Sequence, residues 1–407
     1  IMVKILHERN IMKISDLNNS ITPSGTMAIS NKARLLKQQG KPVIGFGAGE
    51  PDFPTPSYVI KDVQTAAEDP INHKYSPVAG LDILKDEIVR TSKLYSGFNV
   101  QNENVLVSNG GKHAILTTFM SILNPGDEVL IPSPYWTTYP EAVKISGGNP
   151  VIVDTSFEDE FKINTEQLDG LKTDKTKILV WVSPSNPTGV VYSKDEAEAI
   201  YEWAFQNDVW ILSDELYEHL VYDGKTSPSP AQYDAQLRNT IVINGVAKAY
   251  SMTGWRVGWI IANTEVINMA KKIQSHATSN VSNLSQIAAY SALKNGLTET
   301  EIMKESFNRR RLFAFQEFSN IPNVKTIKPN GAFYLFPDIS YYCDGKIINN
   351  VNNSIDFCNW LLDEYYIAFV PGEVFGKNGF LRCSYALSDD NLQEGLGRLT
   401  KAIKDLQ

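Results

Sequence analysis

From about Asn104 onward, short runs of β-branched and aliphatic residues alternate with longer stretches of helical pattern. The runs fall at residues 105–107, 128–131, 178–182, 209–212, 240–243 and 257–261. This alternation is the βαβ grammar of a mostly parallel sheet covered by helices, so the chain is predicted to be α/β. The first five runs end in turn or polar residues, such as Ser-Asn-Gly-Gly, Ser-Pro-Ser-Asn-Pro-Thr-Gly and Asn-Gly-Val-Ala-Lys. Ligands of open α/β sheets sit beyond the carboxyl ends of the strands, and these ends therefore predict one site.

The segments before about residue 60 and after about residue 310 follow a different pattern. Pro and Gly punctuate them, and residues 331–336 and 380–384 look strand-like. They are expected to form a second, smaller α+β domain together, 1–59 with 306–407, beside a large domain of residues 60–305. At 407 residues the chain exceeds the size at which one core keeps growing, which fits two domains. No internal repeat or low-complexity tract interrupts it.

Composition narrows the functional classes. Hydrophobic residues at 43% and charged residues at 21% are ordinary for a folded globular protein. A net charge of -8 with dispersed Lys and Arg offers no basic stripe for a phosphate backbone, so no nucleic-acid partner is expected. Residues 1–10 lack an export signal, and no apolar run approaches the roughly 20 residues that cross a bilayer, so neither export nor a membrane role is expected. Cys343, Cys358 and Cys383 have no metal-like spacing and an odd count, which predicts reduced thiols, no metal and a cytoplasmic location.

The chemistry concentrates at the strand ends. Residues 240–260 run as a strand into a loop with one lysine, Lys248, and an arginine eight residues later, Arg256. By themselves these are ordinary surface cations. Residues 214–217, Asp-Glu-Leu-Tyr, place the Asp214 carboxylate at a strand end with the Tyr217 phenol one helical turn on; an Asp there also serves as a helix N-cap. Residues 183–189 are a Pro-rich turn containing Asn186. After the run 105–107, Gly110, Gly111 and Lys112 open a helix whose free amides and dipole can hold a phosphate, or form only a tight turn.

The spacing of Gly245, Ala247, Lys248, Ser251, Met252, Gly254, Arg256 and Gly258 resembles the attachment signature of class I pyridoxal-phosphate-dependent aminotransferases, of fold type I. Seven motifs occur in that family's order from about Thr22 onward, and the pattern is most similar to bacterial aspartate aminotransferases of subgroup Ib. The resemblance implies a seven-stranded, mostly parallel sheet, pyridoxal 5′-phosphate as cofactor, and a homodimer. It implies that Lys248 forms the Schiff base with the cofactor aldehyde and then acts as general acid and base, while Arg256 and the Gly110, Gly111 and Lys112 segment hold the phosphate. Asp214 would partner the pyridine nitrogen, Tyr217 and Asn186 the 3-oxygen, and Trp136 would stack on the ring. Tyr75 would reach the neighbouring subunit's phosphate. Arg382 would grip the substrate α-carboxylate bidentately, with Gly49, Trp136, Asn186 and Thr26 completing the substrate site.

Two departures stand out. Hydroxyls common in the family three residues and one residue before the lysine are here Gly245 and Ala247, and a lysine found in some relatives eight residues after Lys112 is here Met120. The expected reaction is transamination between L-aspartate and 2-oxoglutarate, giving oxaloacetate and L-glutamate. Lys112 is the cation the motifs place near the substrate's second carboxylate. An aminotransferase for aromatic amino acids, alanine or prephenate is the alternative within enzymes. A non-enzymatic pyridoxal-phosphate-binding regulatory module is the alternative outside them, disfavoured because no helix-turn-helix pattern precedes the fold.

Overall fold

A computed structural model describes residues 15–23 and 25–406. Its strands in chain order are β1 Ile44–Gly45, β2 Val105–Ser108, β3 Glu128–Ser133, β4 Asn149–Asp154, β5 Thr176–Val182, β6 Trp210–Asp214, β7 Thr240–Gly245, β8 Gly258–Ile261, β9 Tyr334–Leu335, β10 Ile367–Ala368, β11 Val370–Pro371 and β12 Leu381–Ser384. Seven of them form one sheet in the order β2-β8-β7-β6-β5-β3-β4. Six strands point the same way and β8 runs antiparallel to both its neighbours. All six runs read from the sequence lie in this sheet. The seventh strand, β4, was not legible as a run: it carries Pro150, lies at the edge and is half exposed.

The period-2 alternation of strand side chains divides the sheet between separate cores. Leu106, Ile131, Ile178, Val180, Leu212, Ile241, Ile243 and Ile260 pack on one face, under the helices Gly111–Ile122 and Thr264–Ala277. Their neighbours Val105, Val107, Val242, Trp259 and Ile261 face a second core with Leu84, Ile88 and Ala288. Leu130, Leu179, Trp181 and Ile211 meet Ile200 and Trp203 in a third. Because both faces are covered, the central strands read as continuous apolar runs.

A further core gathers Phe46, Phe307, Phe318, Phe333, Phe369, Leu381 and Leu396, and reaches Leu216 and Tyr217 beyond the end of β6. Here β1 pairs in parallel with β10, and β11-β12-β9 form a small antiparallel sheet. The strand-like pieces expected at 331–336 and 380–384 supply β9 and β12. Among the described residues no helix is long and apolar enough to cross a membrane.

Candidate active site

The carboxyl ends of β2, β3, β5, β6 and β7 open into a cavity of about 380 Å³. Gly49, Gly111, Lys112, Trp136, Asn186, Asp214, Tyr217, Lys248, Arg256 and Arg382 all line it. Among the described residues four bases and two carboxylates, Asp214 and Glu50, face this space, so it favours anions.

Lys248 follows β7 and is half buried; its Nζ donates to Gly49 O at 2.5 Å and lies 5.8 Å from the centre of the Tyr217 ring. Burial first, then the Arg382 cation, pulls this amine down to about 8, against the attraction of Glu50 and Asp214. Its neutral, nucleophilic fraction at neutral pH is therefore larger than that of an exposed lysine.

Asp214 ends β6 and is 4% exposed. Its Oδ2 accepts the Tyr139 hydroxyl at 2.7 Å and its Oδ1 accepts the Leu216 amide at 3.3 Å. Burial raises its carboxyl above the usual value, opposed by the Tyr139 hydrogen bond, that of Leu216, and the Lys248 charge. A buried carboxylate in this position is stabilised by a cation brought to it.

At the other end of the cavity, Gly110 adopts φ +82° and the helix Gly111–Ile122 starts without a side-chain cap, leaving its first amides without helical acceptors. Arg256, itself left-handed at φ +56°, is aimed at this turn, and a Cβ on Gly110 would lie 2.7 Å from its Nη2. Glycine is therefore required at 110 by conformation and by the approach of the guanidinium. A Cβ built on Gly245 would lie 2.8 Å from Val257 O, so this backbone has no room for the hydroxyl side chain common there in the family.

Arg382 lies in β12, buried. Its Nη1 donates to Asn186 Oδ1 and its Nη2 to Gly47 O, both at 2.9 Å, while Nε has no partner among the described residues. Its guanidinium covers the Tyr334 ring at 4.5 Å. Lys112 Nζ stands 5.0 Å from the Trp136 ring centre, and burial, then Arg256, lowers its affinity for a proton.

The expected Tyr75 is not brought into this group. Tyr75 is 91% exposed and does not line the cavity. Thr26 falls in the helix Gly25–Gln38, and its side chain lies outside the described residues. Met120 is exposed at 43% on the helix surface, away from the cavity lining. Sequence reasoning missed Tyr139, Tyr334 and Glu50, which also line the cavity. Tyr139 lies one helical turn beyond Trp136 and was legible only as a nearby aromatic. Among the described residues no cluster of His, Cys, Asp or Glu could hold a metal ion.

The donor set fits pyridoxal phosphate on this geometry. It comprises an amine of lowered basicity, a buried carboxylate across the cavity, an anion cradle of free amides with Arg256, and an unpartnered guanidinium N–H for a carboxylate. The profile of the family "Aminotransferase class I and II" matches residues 41–399. The chain is 45% identical to an aspartate aminotransferase of Streptomyces avermitilis over 97% of both chains. It is 40% identical to a probable aspartate/prephenate aminotransferase of Aquifex aeolicus, covering 95% of this chain and 97% of that one. The structure of the Thermus thermophilus aspartate aminotransferase with maleate superimposes with a TM-score of 0.90 at 36% identity, over 96% of this chain and all of that one.

Proposed function

Because the chain belongs to the class I and II aminotransferases, which use pyridoxal 5′-phosphate, we propose that it transfers the amino group of L-aspartate to 2-oxoglutarate, giving oxaloacetate and L-glutamate. The observation that carries this reading is the convergence of Lys248, Asp214, Asn186, Arg256 and Arg382 on one cavity.

In this reading Lys248 would hold the cofactor, Arg256 and the amides after Gly110 would hold its phosphate, and Trp136 would hold its ring. When bound, pyridoxal phosphate supplies an electron sink for the charge left by α-proton loss. Asp214 would keep a proton on the ring nitrogen by its negative charge, and Tyr217 and Asn186 would hold the 3-oxygen. Arg382 binds the α-carboxylate through its free N–H groups, Gly49 borders it, and this fixes the α-C–H bond relative to Nζ. The freed Lys248 amine then takes the α-proton at Nζ. One site serves both half-reactions, so ping-pong kinetics follow.

Lys112, assisted by Thr26, is proposed to meet the second carboxylate of the donor. The Thermus enzyme's structure with the dicarboxylate maleate supports this reading. A second reading, a larger acidic substrate such as prephenate, is favoured by a cavity of about 660 Å³ that adjoins the site at Lys112 and is lined by Leu116, Tyr135, Ile152 and Val374.

A homodimer in the cytoplasm completes the proposal. Tyr75, exposed in the single chain, would act on the partner's phosphate, and the three cysteines are free and buried. The division into 60–305 and 1–59 with 306–407 is proposed with it; the separate core around Phe307 and Phe369 supports it, and the helix Thr298–Ser319 would join the two parts. The test is direct: aspartate should discharge the visible band of the bound cofactor and 2-oxoglutarate should restore it. A band untouched by aspartate but discharged by phenylalanine or alanine would move the donor assignment.

A further inference from the structure

Tyr334 is fully buried in β9, and it touches three parts of the site that the chain brings from distant segments. Its ring lies beneath the Arg382 guanidinium, 4.5 Å from the ring centre. Its hydroxyl oxygen is 2.8 Å from that of Tyr217. A Cβ built on Gly49 would lie 3.3 Å from the same oxygen, so this hydroxyl also abuts the loop whose carbonyl receives Lys248. The position follows from pairing: Ser384 of β12 is in register with Tyr334 and Cys383 with Leu335, which sets Tyr334 beside Arg382.

Burial pushes both phenols up, so both keep their protons at neutral pH. Two protonated phenols at hydrogen-bond distance share one of their two protons, and the other must point elsewhere. If Tyr217 donates to Tyr334, its oxygen can face the cofactor only as an acceptor. If Tyr334 donates to Tyr217, the Tyr217 proton is free for the 3-oxygen. Beside Tyr334 stand the loop of Gly49 and Glu50 and the Arg382 guanidinium, which has N–H groups but no acceptor, and either phenol can be the donor in the bond between Tyr334 and Tyr217; only the second arrangement leaves the Tyr217 proton for the cofactor.

We infer that Tyr334 is a positioning residue of the reaction: its hydroxyl donates to Tyr217, aims the Tyr217 proton at the cofactor 3-oxygen, and places this control directly under the arginine that takes the substrate carboxylate. The inference rests on the proposed placement of pyridoxal phosphate on Lys248. Arg382 over the ring face strengthens Tyr334 as a donor, and a carboxylate docking on Arg382 weakens that effect, so substrate binding is felt at Tyr217 without contact between them.

The test uses the holoenzyme with Tyr334→Phe, which keeps the ring under Arg382 and removes only the hydroxyl, together with Tyr217→Phe and the double variant. The readout is the pH midpoint of the cofactor's visible band, with kcat and KM for aspartate beside it. Tyr334→Phe should raise the midpoint by about 0.5 to 1 pH unit, the effect of one neutral hydrogen bond, and lower kcat several-fold with KM little changed. The double variant should titrate with Tyr217→Phe alone, because Tyr334 acts through Tyr217. A Tyr334→Phe midpoint equal to wild type, or additive shifts in the double variant, would overturn the inference while leaving the aminotransferase reading intact. A wild-type protein with no titrating band on Lys248 would overturn both. If Tyr334→Phe does not fold, additivity is read from Tyr334→Trp instead; an unshifted midpoint there counts against the role.

Discussion

Replacing Asp214 with Asn separates the charge of this side chain from its shape. The carboxylate is 4% exposed, accepts Tyr139 at 2.7 Å and Leu216 at 3.3 Å, and stands beside Val182 of β5 and Ile243 of β7. Asn fills the same volume and keeps an oxygen acceptor, so the end of β6 survives while the negative charge is lost. Removing one member of a buried charge pair costs about 3–5 kcal/mol. If that pair is needed at the transition state, proton removal slows roughly a hundred- to several-thousand-fold. The cofactor-free protein should respond in the opposite sense. Burial holds Asp214 above its unfolded value of about 3.9, so its contribution to stability is complete at acid pH and is lost as pH rises through the raised value. At pH 8 the cofactor-free Asp214→Asn protein should therefore melt at the wild-type temperature or above it. The assay is a single-turnover aspartate half-reaction at full cofactor content, paired with melts of the stripped proteins at pH 6 and 8. A half-reaction within about threefold of wild type would refute the role given to the charge.

Lys112→Ala should lower kcat/KM for aspartate by about ten- to a hundredfold, the loss of one charge-assisted hydrogen bond, and spare alanine, once equal cofactor content is established. With its amine held at about 8, Lys248 should capture free pyridoxal phosphate at a rate that climbs with pH and levels off above that value; a rate still climbing at pH 10 would mean an ordinary, solvated lysine. Mixing Lys248→Ala with Tyr75→Ala subunits, each inactive alone, should restore activity in hybrid dimers, and no recovery despite subunit exchange would rule out shared sites.

Much of the candidate site was legible because each strand of the large sheet is a compact local signal and several of the candidate residues follow one closely. Lys248, Asp214, Asn186 and the Gly110 turn sit within four residues of a strand end, so the order of strands alone predicts that they converge. Tyr334 and Tyr139 were not legible in this way. Tyr334 meets Tyr217 across 117 positions and through a two-residue strand whose register depends on β12. Tyr139 resembles any aromatic that fills a core until its hydroxyl is seen on Asp214. The edge strand β4 escaped because half exposure and Pro150 dilute its apolar pattern. Gly245 and Ala247 looked like missing phosphate ligands; at Gly245 the reason is steric, since Val257 O and Gly258 Cα occupy the space a side chain would need.

The central claim, that Lys248 carries the cofactor, is tested most directly by reducing the holoenzyme with borohydride and mapping its peptides. The geometry of an amine of lowered basicity facing Asp214, Arg256 and Arg382 predicts the pyridoxyl label on Lys248 and on no other lysine. A label on Lys112, or an unlabelled Lys248 in protein that has lost its activity on reduction, would contradict it.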